Sequence, residues 1–166
     1  MNLLLLKQLA ILSGFVGIGM GLIALLSPLT LLVVLLSFGL PAIIILVYMK
    51  NNDLIGIMNV REGAIWGSII GVVSFIAGFI VFAPISLILS FIYSVIFKAT
   101  YLSGFLRLIS FDFGSMFVLI LCVLFFALIS ALFNGFFGAV TAYVYEIITG
   151  IKKENNENNS IDFEIK

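Results

Sequence analysis

Residues 59–78 read NVREGAIWGSIIGVVSFIAG, and Gly63, Gly67 and Gly71 recur at every fourth position of this otherwise apolar segment. In a helix that spacing puts the three glycines on one face, and Gly78, two turns beyond Gly71, extends it. In a soluble helix each glycine would cost about 1 kcal/mol against alanine, whereas in a bilayer a strip without side chains lets a second helix approach to backbone contact. The stretch therefore reads as a membrane-spanning helix with a packing groove.

Composition points to the same environment. Of 166 residues, 63% are hydrophobic and 10% charged, and the mean hydropathy is +1.34, against an apolar share of about half in soluble domains. Residues 8–49, 63–97 and 113–145 carry no charge, and each run exceeds the roughly 20 residues of one crossing. The eight basic and eight acidic side chains cancel, which leaves no net field to attract nucleic acid. There is no histidine, and the single cysteine, Cys122, sits in the apolar run LILCVLFF. Ser/His and Cys/His nucleophilic pairs are thereby excluded, and the usual soft metal ligands are missing. No catalytic residue, cofactor or metal site is expected, so the chain reads as a non-enzyme.

Upstream of the glycine stretch, 9–26 forms a first span. It reads as retained and not cleaved, because four leucines precede Lys7, no small-x-small cleavage site is evident before Pro28, and Pro28 itself would follow the only plausible cut, after Ser27. Ser27 and Pro28 make a helix-start pair, with serine as cap and proline at the first helical position. The second span then runs to Met49, with a kink expected at Pro41. So short a connection makes these two spans an antiparallel hairpin. Gly14, Gly17 and Gly21 give the first span its own small-residue seam. In the polar segment 50–62, Asn59 and Glu62 have capping-box spacing, which places the start of the third span at Val60.

That span is expected to reach Phe82 and to bend or end at Ala83-Pro84. Beyond the proline, Ser86, Ser90, Ser94 and Lys98 fall at every fourth position. Two arrangements fit: a long kinked third helix, or an interfacial helix over 85–109 with Lys98 and Arg107 at the headgroups. Asp112 caps a last span that starts at Phe113 and stays uncharged until Glu146. Such a helix is roughly 50 Å long against a hydrocarbon core of about 30 Å, so it must tilt, protrude or break, and Asn134-Gly135 is the weak point. Ala127, Ala131, Gly135 and Ala139 form a second small-residue line, expected to face the Gly63 line. Gly150 reads as the C-terminal cap of a transmembrane domain covering 1–151, and 152–166, Asn-rich and aperiodic, as a disordered cytoplasmic tail.

The expected fold class is all-α, a polytopic helical membrane protein whose four transmembrane helices form two hairpins. The positive-inside rule puts Lys7, Lys50, Arg61, Lys152 and Lys153 on one side and Lys98 and Arg107 on the other, with both termini cytoplasmic. A five-span alternative, with 85–106 also crossing, would bury Lys98. Tyr48, Trp66, Tyr143 and Tyr145 land at the cytoplasmic boundary, as an aromatic belt does.

Each candidate site has two readings. The lines Gly63, Gly67, Gly71, Gly78 and Ala127, Ala131, Gly135, Ala139 specify helix packing, within one chain or between copies. Asn134 either hydrogen-bonds across helices or, with Ser86, Ser90 and Ser94, lines a polar pathway; serine hydroxyls also bond their own helix's carbonyls. Asp53, Arg61, Glu62 and Glu146 read as solvated end charges or as a cytoplasmic ion site. Ion-coupled carriers keep an ionisable group in their path, and the spans contain none.

The Tyr48 and Lys50 boundary, followed by Val60, Gly63, Ala64, Gly67 and Gly71 in a VxxGAxxGxxxG helix, resembles small, uncharacterised bacterial four-helix membrane proteins. The likeness covers the first half of the chain. It implies a four-helix protein of the bacterial inner membrane and carries over no catalytic or binding residue. The expected role is structural or interactive, with the lipid bilayer and a second copy or another membrane protein as partners. The alternative is a small-solute permease or channel-forming subunit.

Overall fold

A computed structural model describes residues 3–26, 29–52, 54–56, 58–97 and 113–164, without the side chains of 3, 90, 93–97, 113, 115, 116 and 150–164. All regular structure among them is helical: α1 (Leu3–Ala24), α2 (Thr30–Ser37), α3 (Leu40–Asn51), α4 (Val60–Phe97) and α5 (Phe113–Glu164). Three helices, α1, α4 and α5, are long and apolar enough to cross a membrane, and α2 and α3 form a pair bent by 57°.

α4 is the central helix. Gly63, Gly67 and Gly71 meet Gly138, Asn134 and Ser130 of α5 in turn, so α4 and α5 run antiparallel. Towards its other end Ser74 and Gly78 meet Gly17 and Gly21 of α1, and these two helices run parallel. α3 lies beside α5 in the same direction, since Ala42 reaches Asn134 and Asn51 reaches Tyr145. The apolar core gathers at one end of the bundle, where Leu9, Ile45, Leu46, Met49, Ile70 and Ala142 are buried and Trp66 packs against them.

α4 begins at Val60, where Glu62 Oε2 accepts the Asn59 amide at 3.3 Å and the Gly63 amide donates to the Asn59 carbonyl at 2.9 Å. Three boundaries differ from the sequence-based expectation, and at a fourth the structure takes one of the two arrangements expected. α1 starts before Lys7, because Leu5 and Leu9 already have core to cover. The second span is broken at Phe38-Gly39, upstream of Pro41, which sits in the first turn of α3. Proline at that position forfeits nothing, while the bond its ring denies to the carbonyl four residues earlier falls on Ser37.

The other two boundaries are continuations. α4 takes the first of the two arrangements expected beyond Pro84: it runs through the proline to Phe97, with no separate helix over 85–97. One missing hydrogen bond is cheaper in lipid than the full set of orphaned groups at a helix end. α5 is likewise continuous through Asn134-Gly135, and its helical backbone passes Gly150 to Glu164, across the 152–164 stretch read as a tail. A single glycine costs about 1 kcal/mol in a helix and does not end one by itself. The Ser27-Pro28 start signal, Asp53, Lys98, Arg107 and Asp112 lie outside the described residues.

Candidate functional site: a broken span held by Asn134

The break between α2 and α3 leaves backbone groups without helical partners at the depth where α5 carries Asn134. Most of α2's last carbonyls are satisfied locally. Ser37 Oγ donates to the Val34 carbonyl at 2.7 Å, and the Phe38 and Gly39 amides donate to those of Leu35 and Leu36 at 3.3 and 3.2 Å. The Ser37 carbonyl accepts instead from Asn134 Nδ2 at 2.9 Å, and Asn134 Oδ1 accepts the Ala42 amide at 3.1 Å. One carboxamide thus caps the C-terminal end of α2 and the N-terminal end of α3.

The network continues into α4. Asn134 Nδ2 also donates to the Ser130 carbonyl at 2.9 Å and Ser130 Oγ at 3.2 Å, and Ser130 Oγ donates to the Gly71 carbonyl at 3.0 Å. Asn134 and Ser130 are both fully buried. The amide's N–H groups are engaged by neighbouring acceptors and its oxygen accepts one bond, from the Ala42 amide. Among the described residues no buried side-chain nitrogen or oxygen lacks a partner.

Small residues make this proximity sterically possible. A Cβ on Gly71 would stand 2.5 Å from the Ser130 carbonyl oxygen and 2.8 Å from Asn134 Cβ, and one on Gly63 would stand 2.6 Å from Ala142 Cβ. Gly67 faces the Asn134 carbonyl with the same lack of room. Gly78, placed by sequence on the same line, faces Gly17 and Gly21 of α1. On α5 the row in contact is Ser130, Asn134, Gly138 and Ala142, one position round the helix from the expected row. Of that expected row, Ala127 and Gly135 are buried, Gly135 against Ser68 Oγ and the Ala64 carbonyl, while Ala131 and Ala139 are only half-buried at its edge. Both rows are small; the observed one also shelters the polar groups, which lipid would leave unpaired. Its signal in the sequence was that Ser130, Asn134 and Gly138 share a spacing of four.

The polar-pathway residues are not brought together. Asn134 lies level with Gly67 and Gly71, whereas Ser86 is 15 positions beyond Gly71, about 22 Å along the helix at 1.5 Å per residue. Ser86 Oγ donates to the Ala83 carbonyl of its own helix at 2.8 Å. The Ser90 and Ser94 side chains lie outside the described residues. Arg61, Glu62 and Glu146 are exposed, and the described residues hold no group of three or more acidic or other metal-ligating side chains that could bind a cation. No protein-family model matches this chain, and no curated protein or solved structure shows a match to it.

Proposed function

We propose that the protein is a non-enzymatic, four-crossing membrane protein of the bacterial inner membrane that works as a scaffold or interaction partner within the bilayer. The observation that carries this reading is the burial of Asn134 and its bonding to neighbouring helices. The strongest intramembrane polar group spends its donors and acceptor on neighbouring backbone, the use a packing element makes of it. The glycine faces are likewise consumed inside one chain, which leaves the outward apolar faces for lipid, a second copy or another membrane protein. The directions of the helices support four crossings: α1 parallel to α4 requires α2 and α3 to make one net crossing between them. Lys7, Lys50 and Arg61 then share a side, which the positive-inside rule makes cytoplasmic.

A small-solute permease is the second reading, and the broken α2–α3 span favours it, because discontinuous helices build substrate sites in secondary transporters. The two are separated by reconstitution into sealed vesicles, with uptake of small polar solutes measured beside the size of the particle extracted directly into lipid discs. A scaffold gives solute entry equal to protein-free vesicles and particles larger than one 18.1 kDa chain. Entry that exceeds the protein-free level and vanishes in Asn134→Leu would replace the scaffold reading with the permease.

A further inference from the structure

Asn134 holds the two sides of the break unequally. Its Nδ2 has two N–H groups but lies within reach of three acceptors, the Ser37 and Ser130 carbonyls, each at 2.9 Å, and Ser130 Oγ at 3.2 Å. Release of the Ser37 carbonyl therefore leaves both N–H groups with acceptors inside α5. Oδ1 has no such reserve. It accepts the buried Ala42 amide at 3.1 Å, and loss of that bond would strip donor and acceptor together. The bond to α2 is one that can open, and the bond to α3 is fixed.

Packing is unequal in the same sense. α3 buries Pro41, Ala42, Ile45, Leu46 and Met49, whereas α2 buries Val33 alone and exposes Leu31, Leu32, Val34, Leu35 and Leu36. Between α2 and α4 lies an apolar groove of about 270 Å³, with Val33, Val34 and Phe38 on one side and Phe75, Phe79 and Phe82 on the other. The hydroxyls of Thr30, Ser37 and Ser74 along it are spent on backbone carbonyls, so it offers α2 dispersion contacts and no polar obstacle. Phe38 and Gly39 stand outside both helices, where one or two residues at the ends of elements can absorb a rotation. A single hydrogen bond between membrane helices is worth about RT on average, so modest apolar contact is enough to balance it. We propose that α2 is a hinged arm. It rotates about Phe38-Gly39 between the position in which Asn134 holds the Ser37 carbonyl and one in which that bond is released and α2 closes on α4, with α3 held in place throughout. The inference stands apart from the scaffold reading, since it concerns movement within one chain.

The test is a distance measurement by pulsed electron resonance on the spin-labelled full chain in nanodiscs, in a Cys122→Ala background. Leu35→Cys on α2 and Ile44→Cys on α3 are each paired with Ile88→Cys on α4, and all three side chains are exposed. Ile88 lies 21 positions beyond Gly67, which meets Asn134, or about 32 Å along the helix. The α2 pair is expected to show a second, shorter distance and the α3 pair a single one. Met20→Phe puts bulk into the groove, and Ser130→Ala takes one competing acceptor from Asn134. Each is expected to reduce the short-distance population several-fold. One narrow distance from both pairs overturns the proposal, because α2 is then fixed. Two distances from both pairs overturn it as well, because α3 then moves with α2. A short-distance population that keeps its size in whichever of the two variants folds also overturns it, since neither the groove nor the bond to Asn134 then governs the movement.

Discussion

Asn134 and Ala42 are 92 residues apart in sequence and joined by a 3.1 Å hydrogen bond from the Ala42 amide to the Asn134 Oδ1. The bond matters because the acceptor belongs to an unbroken helix and the donor to the first turn of a broken one. In lipid no water can satisfy a helix end, so a break at this depth survives only if the protein supplies the partners. Asn134 supplies them on both sides of Phe38-Gly39, and the break and the asparagine explain each other.

Asn134→Leu removes those partners while keeping a side chain of similar bulk. Two backbone groups, the half-buried Ser37 carbonyl and the buried Ala42 amide, are left unpaired, at roughly 1–3 kcal/mol each by soluble-protein standards and less in membranes, where single hydrogen bonds average about 0.6 kcal/mol. The expected loss is about 1–4 kcal/mol, read as a lower unfolding midpoint in lipid discs. A midpoint equal to the parent's would show that the break does not need its caps.

Hydroxyls divide by what they bond. Ser130 Oγ reaches across to the Gly71 carbonyl at 3.0 Å, whereas Ser13 Oγ bonds the Leu9 carbonyl of its own helix at 2.6 Å. Both serines are fully buried. Ser130→Ala is expected to destabilise by about 0.6–1.7 kcal/mol, the range of interhelical hydrogen bonds in a bilayer. Ser13→Ala is expected near neutral, because its carbonyl partner keeps the intrahelical bond. Equal effects of the two substitutions would remove the distinction.

Much of this architecture was legible in the sequence. The uncharged runs, the Asn59–Glu62 spacing and the glycine period announced the apolar helices, the start of α4 and its packing face, since all three depend on local pattern. The break was not legible, because proline at 41 marks where a bond is missing and only Asn134, on a distant helix, decides where the chain can part. Asn134-Gly135 drew attention as the weak point of α5 for a related reason: a polar residue in an apolar run signals an unmet need, and the sequence does not say whose. The row of α5 that meets α4 was also ambiguous, since two adjacent rows are small and differ by one position.

Glycines that look alike in sequence are expected to respond in opposite ways. A Cβ on Gly14 meets nothing within 4 Å, whereas one on Gly67 would collide with the Asn134 carbonyl oxygen and stand 3.1 Å from Gly138 Cα. Gly14→Ala therefore gains helix propensity of up to about 1 kcal/mol. Gly67→Ala overpacks a backbone contact that has no flexible side chain to yield, at about 1–3 kcal/mol, and Gly67→Leu costs more. Thermal unfolding of the three variants beside the parent decides the matter; a Gly67→Leu protein as stable as Gly14→Ala would refute the packing role of the α4 face.

The direction of the helices makes a last prediction about topology. If α2 and α3 formed a re-entrant loop, α3 would return to the side it left, and α4 would start where α1 ends and run against it. The contacts of Gly17 with Ser74 and of Gly21 with Gly78 instead advance together along both helices. With α1 and α4 both crossing, as proposed, the bent pair makes one net crossing, which puts the α1–α2 turn and the α3–α4 connection on opposite faces. In a Cys122→Ala background, single cysteines at the exposed positions Leu26 and Asn52 report the two faces. With a membrane-impermeant thiol reagent added to intact cells, label is expected at Leu26→Cys and withheld from Asn52→Cys until the membrane is permeabilised. Label at both positions in intact cells would return α2 and α3 to a re-entrant loop and remove one crossing from the proposed four.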